Sequence, residues 1–308
     1  MSGRVAVLGA FVADCTFRAA RPPEMGETVL GKSFALGPGG KGSNQAVAAA
    51  KAGAEASMLT RLGADPFAEL ARQVWAAAGV TPAIIVDPES YTGAAYIYVE
   101  DQTGNNAIIV APGAAGAIAP RDVAGWDPEI GQSDVFLTQL ETPLPAGLAG
   151  LSAAKAAGVT TILNPAPAAA MEDAMLEASD FVTPNESEAE GLTGVKVASV
   201  GDAERAADAL IARGAGAAIV TLGENGAFLA AGAQRRHIPA MEAGPVVETT
   251  GAGDAFNGGF AAALARGADP MDAALFGSAT AALSVTKAGA AASMPDRADI
   301  ETLLSSTG

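Results

Sequence analysis

Gly251-Ala252-Gly253-Asp254-Ala255-Phe256-Asn257-Gly258-Gly259 is the most informative stretch of this 308-residue chain. Its small residues form a turn that leads, through one carboxylate, into an apolar run, and strand-like Val246-Val247 precedes it. The pattern predicts a helix start, where free N–H groups attract anions. Glycines let a phosphate approach the main chain, and Asp254 could take a proton from an attacking hydroxyl. The stretch therefore predicts phosphoryl transfer to an alcohol.

The hydrophobic content, net charge, and cysteine and histidine counts exclude several classes of protein. Half of the residues are hydrophobic and 17% are charged, which suits a large core in one elaborated α/β domain or in two domains. The formal net charge of −16 predicts no nucleic-acid or anionic-membrane partner. The single cysteine, Cys15, excludes an internal disulfide, and the single histidine, His237, excludes a histidine metal cluster. With no signal-like start and no apolar run of about 18 residues, a cytoplasmic location is expected.

Short β-prone runs alternate with longer, alanine-rich helical runs along most of the chain. The predicted strands are 5–8, 58–60, 135–140, 160–163, 181–183 and 217–222. The predicted helices are 43–52, 66–78, 145–157, 203–213, 255–266 and 270–286. This alternation predicts an α/β fold in which a mostly parallel central sheet lies between two helical layers, a three-layer sandwich.

Two segments, approximately 11–36 and 91–110, interrupt the alternation. Both are β-rich, residues 91–99 have no helical period, and Asp101-Gln102-Thr103-Gly104-Asn105 is a turn signal. We predict that they form a small β-sheet lid over one end of the main sheet, within a single domain spanning 1–308. Such a lid would keep water away from a phosphoryl donor. Ordinary surface hairpins are the alternative.

Two glycine-rich motifs match nucleotide-binding patterns in the wrong context. Gly26–Ser33 fits the P-loop pattern, yet Pro22-Pro23 stands where the leading strand belongs and Phe34–Pro38 cannot form the helix that should follow. Gly37–Gly42 fits the dinucleotide fingerprint but does not follow the first strand, and a proline lies within its turn. A nicotinamide-dependent oxidoreductase is therefore disfavoured.

The turn 37–42 passes directly into a predicted helix. We place Ser43 as the N-cap of that helix. Lys41 and Asn44 are polar groups at the helix start with little side-chain bulk around them. They suit hydrogen bonds to a polyhydroxylated substrate, and a structural glycine turn with an exposed lysine is the alternative.

Polar residues follow several predicted strands. Glu141, Asn164, Asn185 and Thr221 each stand near the carboxyl end of a strand, where open α/β sheets bind ligands. Glu141 could accept from sugar hydroxyls, and Asn185 with nearby carboxylates could hold hydrated Mg²⁺. Each residue alone could equally belong to an ordinary loop or a first helical turn. Their succession along one predicted sheet edge favours a binding site.

On these residues the chain resembles the ribokinase-like (PfkB) family of sugar kinases over nearly its whole length. The Lys41 and Asp254 motifs, in that order, are highly specific for this family. The matching stretches are Gly26-Glu27-Thr28, Gly39–Ala46, Gln139-Leu140-Glu141, Asn164–Ala168, Thr183–Glu186, Thr221-Leu222-Gly223 and Thr250–Gly258. The resemblance implies the family's fold, ATP and Mg²⁺ as cofactors, and a homodimer joined through the β lid.

The resemblance also implies a role for each matching position. Asp254 is the implied base, and Gly251, Ala252 and Gly253 are the implied anion hole. The implied sugar ligands are Asp14, Gly40, Lys41, Asn44 and Glu141, and the implied nucleotide contacts are Asn185, Thr221, Gly223, Glu224, Gly226 and Ser278. Glu188 is implied to organise Mg²⁺ through water. A monovalent-cation loop, with K⁺ as its ion, falls on Glu248, Thr250, Ser284, Lys287, Gly289 and Ser293.

Four positions depart from the family's pattern. Val12 replaces a sugar-facing Asn, Glu248 replaces a cation-loop Asp, residues 113–115 replace a Gly-Asn pattern, and Ser278 replaces an adenine-side Asn or His. The resemblance still implies transfer of the γ-phosphate of ATP to D-ribose, giving ribose 5-phosphate. A related kinase for another sugar, a sugar acid or a nucleoside is the first alternative. A catalytically silent sugar-binding or regulatory protein on the same fold is the second.

Overall fold

Two β-sheets organise the computed structural model of this protein, which describes residues 2–306. The strands are β1 (Arg4–Leu8), β2 (Val12–Ala19), β3 (Ser33–Gly39), β4 (Glu55–Leu62), β5 (Thr81–Val86), β6 (Thr92–Glu100), β7 (Asn106–Gly113), β8 (Val135–Thr138), β9 (Thr160–Leu163), β10 (Phe181–Val182), β11 (Ala217–Thr221), β12 (Ala227–Ala231) and β13 (Gln234–Ile238). The main sheet has the order β13-β12-β11-β10-β9-β8-β1-β4-β5. Its neighbours pair in parallel except at β12, which runs against both β11 and β13.

The main sheet is buried on both faces, as the strand–helix alternation predicts. Successive side chains of a strand point to opposite faces. In β1, Val5 and Val7 belong to one hydrophobic cluster, and Ala6 and Leu8 belong to a second cluster on the other side. Because each face needs an apolar cover, the sheet is the middle layer of three.

Helices supply the two outer layers. They are α1 (Lys41–Lys51), α2 (Pro66–Ala78), α3 (Pro120–Gly125), α4 (Asp127–Gly131), α5 (Leu144–Ala156), α6 (Asp173–Glu177), α7 (Glu186–Thr193), α8 (Val200–Ala212), α9 (Ala252–Ala265), α10 (Pro270–Ser284) and α11 (Arg297–Ser306). Helices α1, α2, α9, α10 and α11 contribute to the cluster of Val5, and α3 to α8 contribute to the cluster of Leu8. None of the helices formed by residues 2–306 has the length and apolar character needed to cross a bilayer.

The two β-rich segments form a separate four-stranded sheet, in the order β3-β2-β6-β7. We call it the small sheet. Its strands extend to Gly39 and Gly113, beyond the predicted ends near 36 and 110, because Gly39 pairs with Val12 and Gly113 pairs with Thr92. Ser33, the last residue of the P-loop-like motif, begins β3 rather than a helix. That motif therefore lacks the context of a phosphate-binding loop.

A close helix contact brings two motifs that are far apart in sequence into one place. Helix α1 carries Lys41 and Asn44, and α9 carries Asp254. At Gly258 of α9, an added Cβ would lie 2.4 Å from the Cβ of Ala48 and 2.7 Å from the carbonyl oxygen of residue 45. Only glycine allows the two backbones to approach this closely. The contact therefore sets the N-terminal ends of α1 and α9 side by side.

Two local predictions are wrong. Ser43 is not an N-cap, because α1 begins at Lys41 after Gly40, and the Ser43 hydroxyl inside the helix accepts from Trp75 Nε1 at 2.9 Å. Val246-Val247 is not a strand. Both valines are exposed, and the N–H of Val247 donates to the Val285 carbonyl just after α10, where no strand is available to pair with it.

Candidate active site

Polar residues that follow separate strands of the main sheet meet at one edge. Asn185 forms an isolated parallel bridge with Thr221, and the N–H of Thr221 donates to Pro184 at 2.9 Å. A cavity of about 150 Å³ opens beside them. It is lined by Lys41, Asn164, Ala166, Thr183, Asn185, Glu188, Thr221, Thr249, Gly251, Ala252, Gly253, Asp254 and Asn257. Three of the four strand-end residues singled out in the sequence, Asn164, Asn185 and Thr221, therefore share one cavity with the glycine-rich helix start, whereas Glu141 is not part of its lining.

Asp254 lies in this cavity at the third position of α9. Its side chain is only 6% exposed. Asn44 Nδ2 donates to Asp254 Oδ2 at 2.9 Å, and Gln45 Nε2 donates to Oδ1 at 3.0 Å. Burial raises the pKa of Asp254 above its ordinary value, and the Lys41 ammonium and the two amide donors oppose that rise. A buried carboxylate held from two sides is well placed to act as a general base.

The start of α9 offers N–H groups beside this carboxylate. Gly251 takes the left-handed conformation, with φ of 81°, and turns the chain into the helix. The N–H of Ala252 already donates to Thr249 at 3.1 Å. Those of Gly253 and Asp254, in the first helical turn, have no backbone acceptor within residues 2–306. Of the predicted anion hole Gly251–Gly253, the N–H of Ala252 is thus already used, whereas those of Gly251 and Gly253, and of Asp254 one residue on, have no acceptor among residues 2–306.

Three carboxylates surround the start of α1. The N–H of Lys41 donates to Glu141 Oε2 at 2.7 Å. Burial raises the pKa of Glu141 to about 7, opposed by the Lys41 ammonium and by this hydrogen bond, while the charges of Asp254 and Asp14 push it up. Burial also raises the pKa of Asp14, on the small sheet, to about 6. The implied sugar ligands therefore lie together between the two sheets, with Gly40 as the residue that precedes α1.

One hydrogen-bonding atom of Asn44 is not used by the protein. Its Nδ2 is used by Asp254, but its Oδ1 is buried and has no partner among the described residues. A buried polar atom of this kind gains by accepting a hydrogen bond from a ligand. The predicted sugar-binding role of Asn44 is consistent with this geometry.

The predicted nucleotide contacts are only partly brought together. Asn185 and Thr221 line the 150 Å³ cavity, and Gly223 and Glu224 lie in the short 3₁₀ turn that follows β11 and ends at Gly226. Glu224 also borders a second cavity of about 700 Å³. Ser278, in the middle of α10, lines neither cavity.

Glu188 combines a structural role with a place in the site. Asn185 caps α7 by accepting from the N–H of Glu188 at 2.8 Å, and Glu188 Oε2 accepts from the N–H of Asn185 at 2.9 Å. Glu188 therefore lies in a first helical turn, which is the alternative to a metal-binding role for the carboxylates near Asn185. Glu188 nevertheless lines the small cavity, and burial raises its pKa.

The predicted cation-loop residues come from two segments that meet beside the start of α9. The N–H of Gly289 donates to Glu248 Oε2 at 2.9 Å, and the N–H of Glu248 donates to Val285 at 3.2 Å. An added Cβ at Gly251 would lie 2.9 Å from the Cβ of Ala290 in the second segment. The remaining members are Thr250, just before α9, buried Ser284 and Ser293, and exposed Lys287. No group of three or more His, Cys, Asp or Glu that could hold a metal occurs in the described part of the chain.

Sequence reasoning missed several residues of this site. Gln45 bonds Asp254 directly, and Thr183, Thr249 and Asn257 line the small cavity. Asn257 could have been found, because a residue three positions after Asp254 lies on the same helix face. Gln45 directly follows Asn44 in sequence, but nothing in its spacing shows that it faces Asp254.

A hydroxyl and a phosphate could both reach Asp254 and the start of α9, which is the arrangement of a phosphotransferase. The fold is consistent with the same class, because the site lies where the three-layer α/β domain meets the small sheet. The chain belongs to the pfkB family of carbohydrate kinases, whose family pattern matches residues 2–297.

Named relatives are similar over almost the whole chain. A ribokinase of Haemophilus influenzae is 39% identical over 298 residues, covering 96% of this chain and 97% of the relative. A deoxyribokinase of Salmonella typhi is 34% identical over 293 residues, covering 94% and 95%. Among solved structures, a ribokinase of Arabidopsis thaliana complexed with ribose and ATP has a TM-score of 0.90 at 30% identity and covers 99% of both chains.

Proposed function

We propose that this chain is a kinase that transfers the γ-phosphate of ATP to the 5-hydroxyl of D-ribose. The observation that carries the proposal is the position of Asp254, buried in a cavity beside the free N–H groups of α9 and next to the polar start of α1. The ribokinase of Haemophilus influenzae and the ribose- and ATP-bound structure from Arabidopsis thaliana support this choice of sugar and donor.

In the proposed reaction, one carboxylate oxygen of Asp254 accepts the proton of the 5-hydroxyl. The sugar oxygen forms a bond to the γ-phosphorus as the bond from that phosphorus to the bridging oxygen of ADP breaks. The N–H groups of Gly253 and Asp254 and the ammonium of Lys41 hold the charge that spreads over the transferred phosphoryl group.

The sugar is proposed to lie between α1, Glu141 and the small sheet. Glu141 and Asp14 would accept from its hydroxyls, and Asn44 Oδ1 would use its free lone pairs in the same way. Because Asp14 lies in β2, sugar binding would draw the small sheet over the site as a lid of a single kinase domain. Slower proteolysis within the exposed connection 20–32 when ribose is present would support closure, and an unchanged rate would argue against it.

ATP is proposed to place its phosphates along Asn185 and Thr221, with its adenosine end toward Gly223, Glu224 and Gly226. Ser278 is proposed to contact the adenine side, although it lines neither cavity. Calorimetry with ATP alone would check this side of the site, since it requires no sugar. Because ATP is the proposed donor, we also infer a cytoplasmic location, which cell fractionation would check.

Two ions are proposed to assist the reaction. Mg²⁺ would neutralise phosphate charge, and Glu188 would hold it through water. The fit is chemical, since Mg²⁺ prefers oxygen ligands and keeps several waters, and the Glu188 carboxylate lines the cavity. K⁺ would bind between the segments of Glu248 and Gly289, where carboxylate, hydroxyl and carbonyl oxygens are available. There its positive charge would add to the electrostatic attraction between the N–H groups at the start of α9 and the phosphoryl group.

We expect turnover to be lost when Mg²⁺ is chelated and to rise severalfold when K⁺ replaces an organic cation. Glu248→Ala should abolish the response to K⁺, whereas Glu242→Ala, in the same loop and exposed, should keep it. Initial rates measured across a K⁺ titration check this. Equal wild-type rates with and without K⁺ would show that the loop has no such role.

The small sheet carries an apolar face that suits a second copy of the chain. Phe17 lies against Phe34 and Tyr96, with ring centroids 5.0 Å and 5.6 Å apart, and Phe34 is 57% exposed. By strand alternation this face points away from Asp14. We propose that two copies pack through it as a homodimer.

Phe34→Asp is expected to give a monomer at micromolar concentration, because a charge would be buried in the apolar interface. Val86→Asp, at another exposed apolar position, in β5, should leave the dimer intact. Light scattering after size exclusion measures the mass of each. A monomeric wild type, or a dimeric Phe34→Asp variant, would count against this interface.

The test of the proposed function is a coupled ADP-release assay with ribose, 2-deoxyribose, fructose and adenosine. Ribose should show the highest kcat/KM. Turnover with none of these acceptors would reject the kinase assignment, and sugar binding without turnover would point to a silent binding protein. Binding of NADH but not ATP would instead revive the oxidoreductase alternative.

One observation favours 2-deoxyribose as a second candidate substrate. Val12, where the family pattern has an Asn, is buried and apolar, so it offers no hydrogen bond to a sugar hydroxyl. A deoxyribokinase is also among the relatives. A higher kcat/KM for 2-deoxyribose than for ribose would select this candidate.

A further inference from the structure

We infer that Gln45 is a positioning residue for the base, holding Asp254 through a buried chain of side-chain amides that extends to the first turn of α9. The inference rests on the proposed function, since it takes Asp254 as the base. Gln45 is not among the residues that line the 150 Å³ cavity, and it acts through the carboxylate.

The first part of the chain ends on the carboxylate itself. Gln139 Nε2 donates to Gln45 Oε1. Gln45 Nε2 then donates both to Asp254 Oδ1 and to Asn164 Oδ1, each at 3.0 Å. Gln45 is completely buried and Gln139 nearly so, so these bonds face little competition from water.

The second part returns to the helix start by another route. Asn164 Nδ2 donates to the Thr183 carbonyl at 2.9 Å, and Thr183 Oγ1 donates to Asn257 Oδ1 at 2.6 Å. Asn257 Nδ2 donates to the Gly253 carbonyl at 2.9 Å. The chain therefore joins the base to the residue whose N–H is open to the phosphate.

Acceptor-only groups dictate the orientation of three amides in this chain, and Gln139, whose Oε1 has no partner among the described residues, is oriented by its bond to Gln45. The Asp254 carboxylate requires Gln45 to present its NH₂, which leaves Gln45 Oε1 to accept from Gln139. The carbonyls of Thr183 and Gly253 impose the same choice on Asn164 and Asn257. Turning any one amide around would set two donors or two acceptors against each other, so the chain has one low-energy arrangement.

Asn44, the other donor to Asp254, is not restricted in this way. Its Oδ1 has no partner among the described residues, so only its bond to Asp254 orients its amide. Gln45 is thus the donor whose own oxygen is also held, and it would keep the carboxylate plane fixed when the sugar binds at Asn44. A base whose orientation is held in advance loses less freedom on reaching the reactive geometry.

The test is Gln45→Met, which keeps the length of the side chain and removes both polar atoms. We expect kcat to fall about 10- to 100-fold, because the carboxylate is less well aligned, with the KM for ATP changed by less than about twofold. The acid limb of kcat/KM should move to higher pH, because the carboxylate loses a donor to its charged form. Gln73→Met, on the exposed face of α2, is the matched control and should change none of these values.

A double variant separates positioning from general loss of structure. If Gln45 acts through Asp254, then Gln45→Met should lower the residual kcat of Asp254→Asn by less than about threefold. Gln139→Met, one step further along the chain, should reproduce the pH shift at a smaller loss of kcat and serves if Gln45→Met does not fold. Wild-type kcat and pH profile in both single variants, or fully multiplicative losses in the double variant, would overturn the inference. Absence of wild-type turnover with every acceptor would instead overturn the proposed function, and this inference with it.

Discussion

Asp254→Asn is expected to lower kcat by about a thousandfold, the middle of the range for loss of a general base. The reaction needs a group that takes the hydroxyl proton as the oxygen attacks phosphorus, and Asp254 is the carboxylate beside the open N–H groups of α9. ATP affinity should change little, because the amide keeps the shape of the helix start. Steady-state rates and calorimetry measure the two quantities separately.

The surrounding hydrogen bonds should accommodate this substitution. The new NH₂ group would face a donor from Asn44 or from Gln45. Asn44 can turn its amide over, because its Oδ1 is unpartnered, and would then accept from the new group. Gln45 would continue to donate to the remaining oxygen. We therefore expect a folded protein with a melting temperature close to that of the wild type.

The pH profile supplies a second measure of the same residue. Burial raises the pKa of Asp254, so wild-type kcat/KM should fall as pH drops and the base takes up a proton. In Asp254→Asn, the part of the decrease in kcat/KM that protonation of Asp254 causes should be absent. Asp272→Asn is the matched control, since Asp272 is also the third residue of its helix but is exposed. Activity near wild type in Asp254→Asn would show that another group is the base.

Glu141→Gln is expected to lower kcat/KM for the sugar about 5- to 15-fold, mainly through KM. A hydrogen bond to a charged acceptor contributes about 1.5–3 kcal/mol more than an unmade one, and the neutral amide retains only part of it. The amide oxygen can still accept from the N–H of Lys41, so the start of α1 should be preserved. Kinetics at saturating ATP measure the effect.

The same substitution should stabilise the protein at alkaline pH. Burial raises the pKa of Glu141 from its ordinary 4.5 to about 7, so the folded state holds the proton more tightly than the unfolded state. Stability therefore falls as pH rises from about 4.5 through 7, and the loss is about 3 kcal/mol by pH 8. A glutamine does not titrate and escapes this loss. The carboxylate proposed to bind the sugar thus weakens the fold at alkaline pH.

Thermal unfolding at pH 5.5 and pH 8 checks the predicted direction in which stability changes with pH. The advantage of Glu141→Gln over the wild type should be less than half as large at pH 5.5 as at pH 8. Glu129→Gln, which changes an exposed carboxylate in α4, is the control and should show no such trend. An advantage that is equal at both pH values, or greater at pH 5.5, would contradict the assigned cause.

Local pattern was a reliable guide to the elements of this fold. Apolar runs such as Val5–Leu8 and Val135–Thr138 are buried on both faces in the structure, as their composition predicts. The edge strand β5 was missed although it contains the apolar run Ala83–Val86, and the hairpin strand β13 was missed because Gln234–Ile238 contains no such run. The error at Ser43 has a tertiary cause, since the indole N–H of Trp75 occupies the hydroxyl that would have capped the helix.

The α/β alternation, the polar residues at the strand ends and the glycine-rich start of α9 can be read from the chain, because each depends on neighbours within a few residues. How these parts meet depends on long-range packing. Gln45 and Asp254 are 209 positions apart and bond because Gly258 lets α1 and α9 approach closely. The use of the Ala252 N–H by Thr249, which leaves Gly253 and Asp254 open to an anion, was likewise settled by the folded turn. Side-chain contacts between elements depend on helix separation, which no local period records.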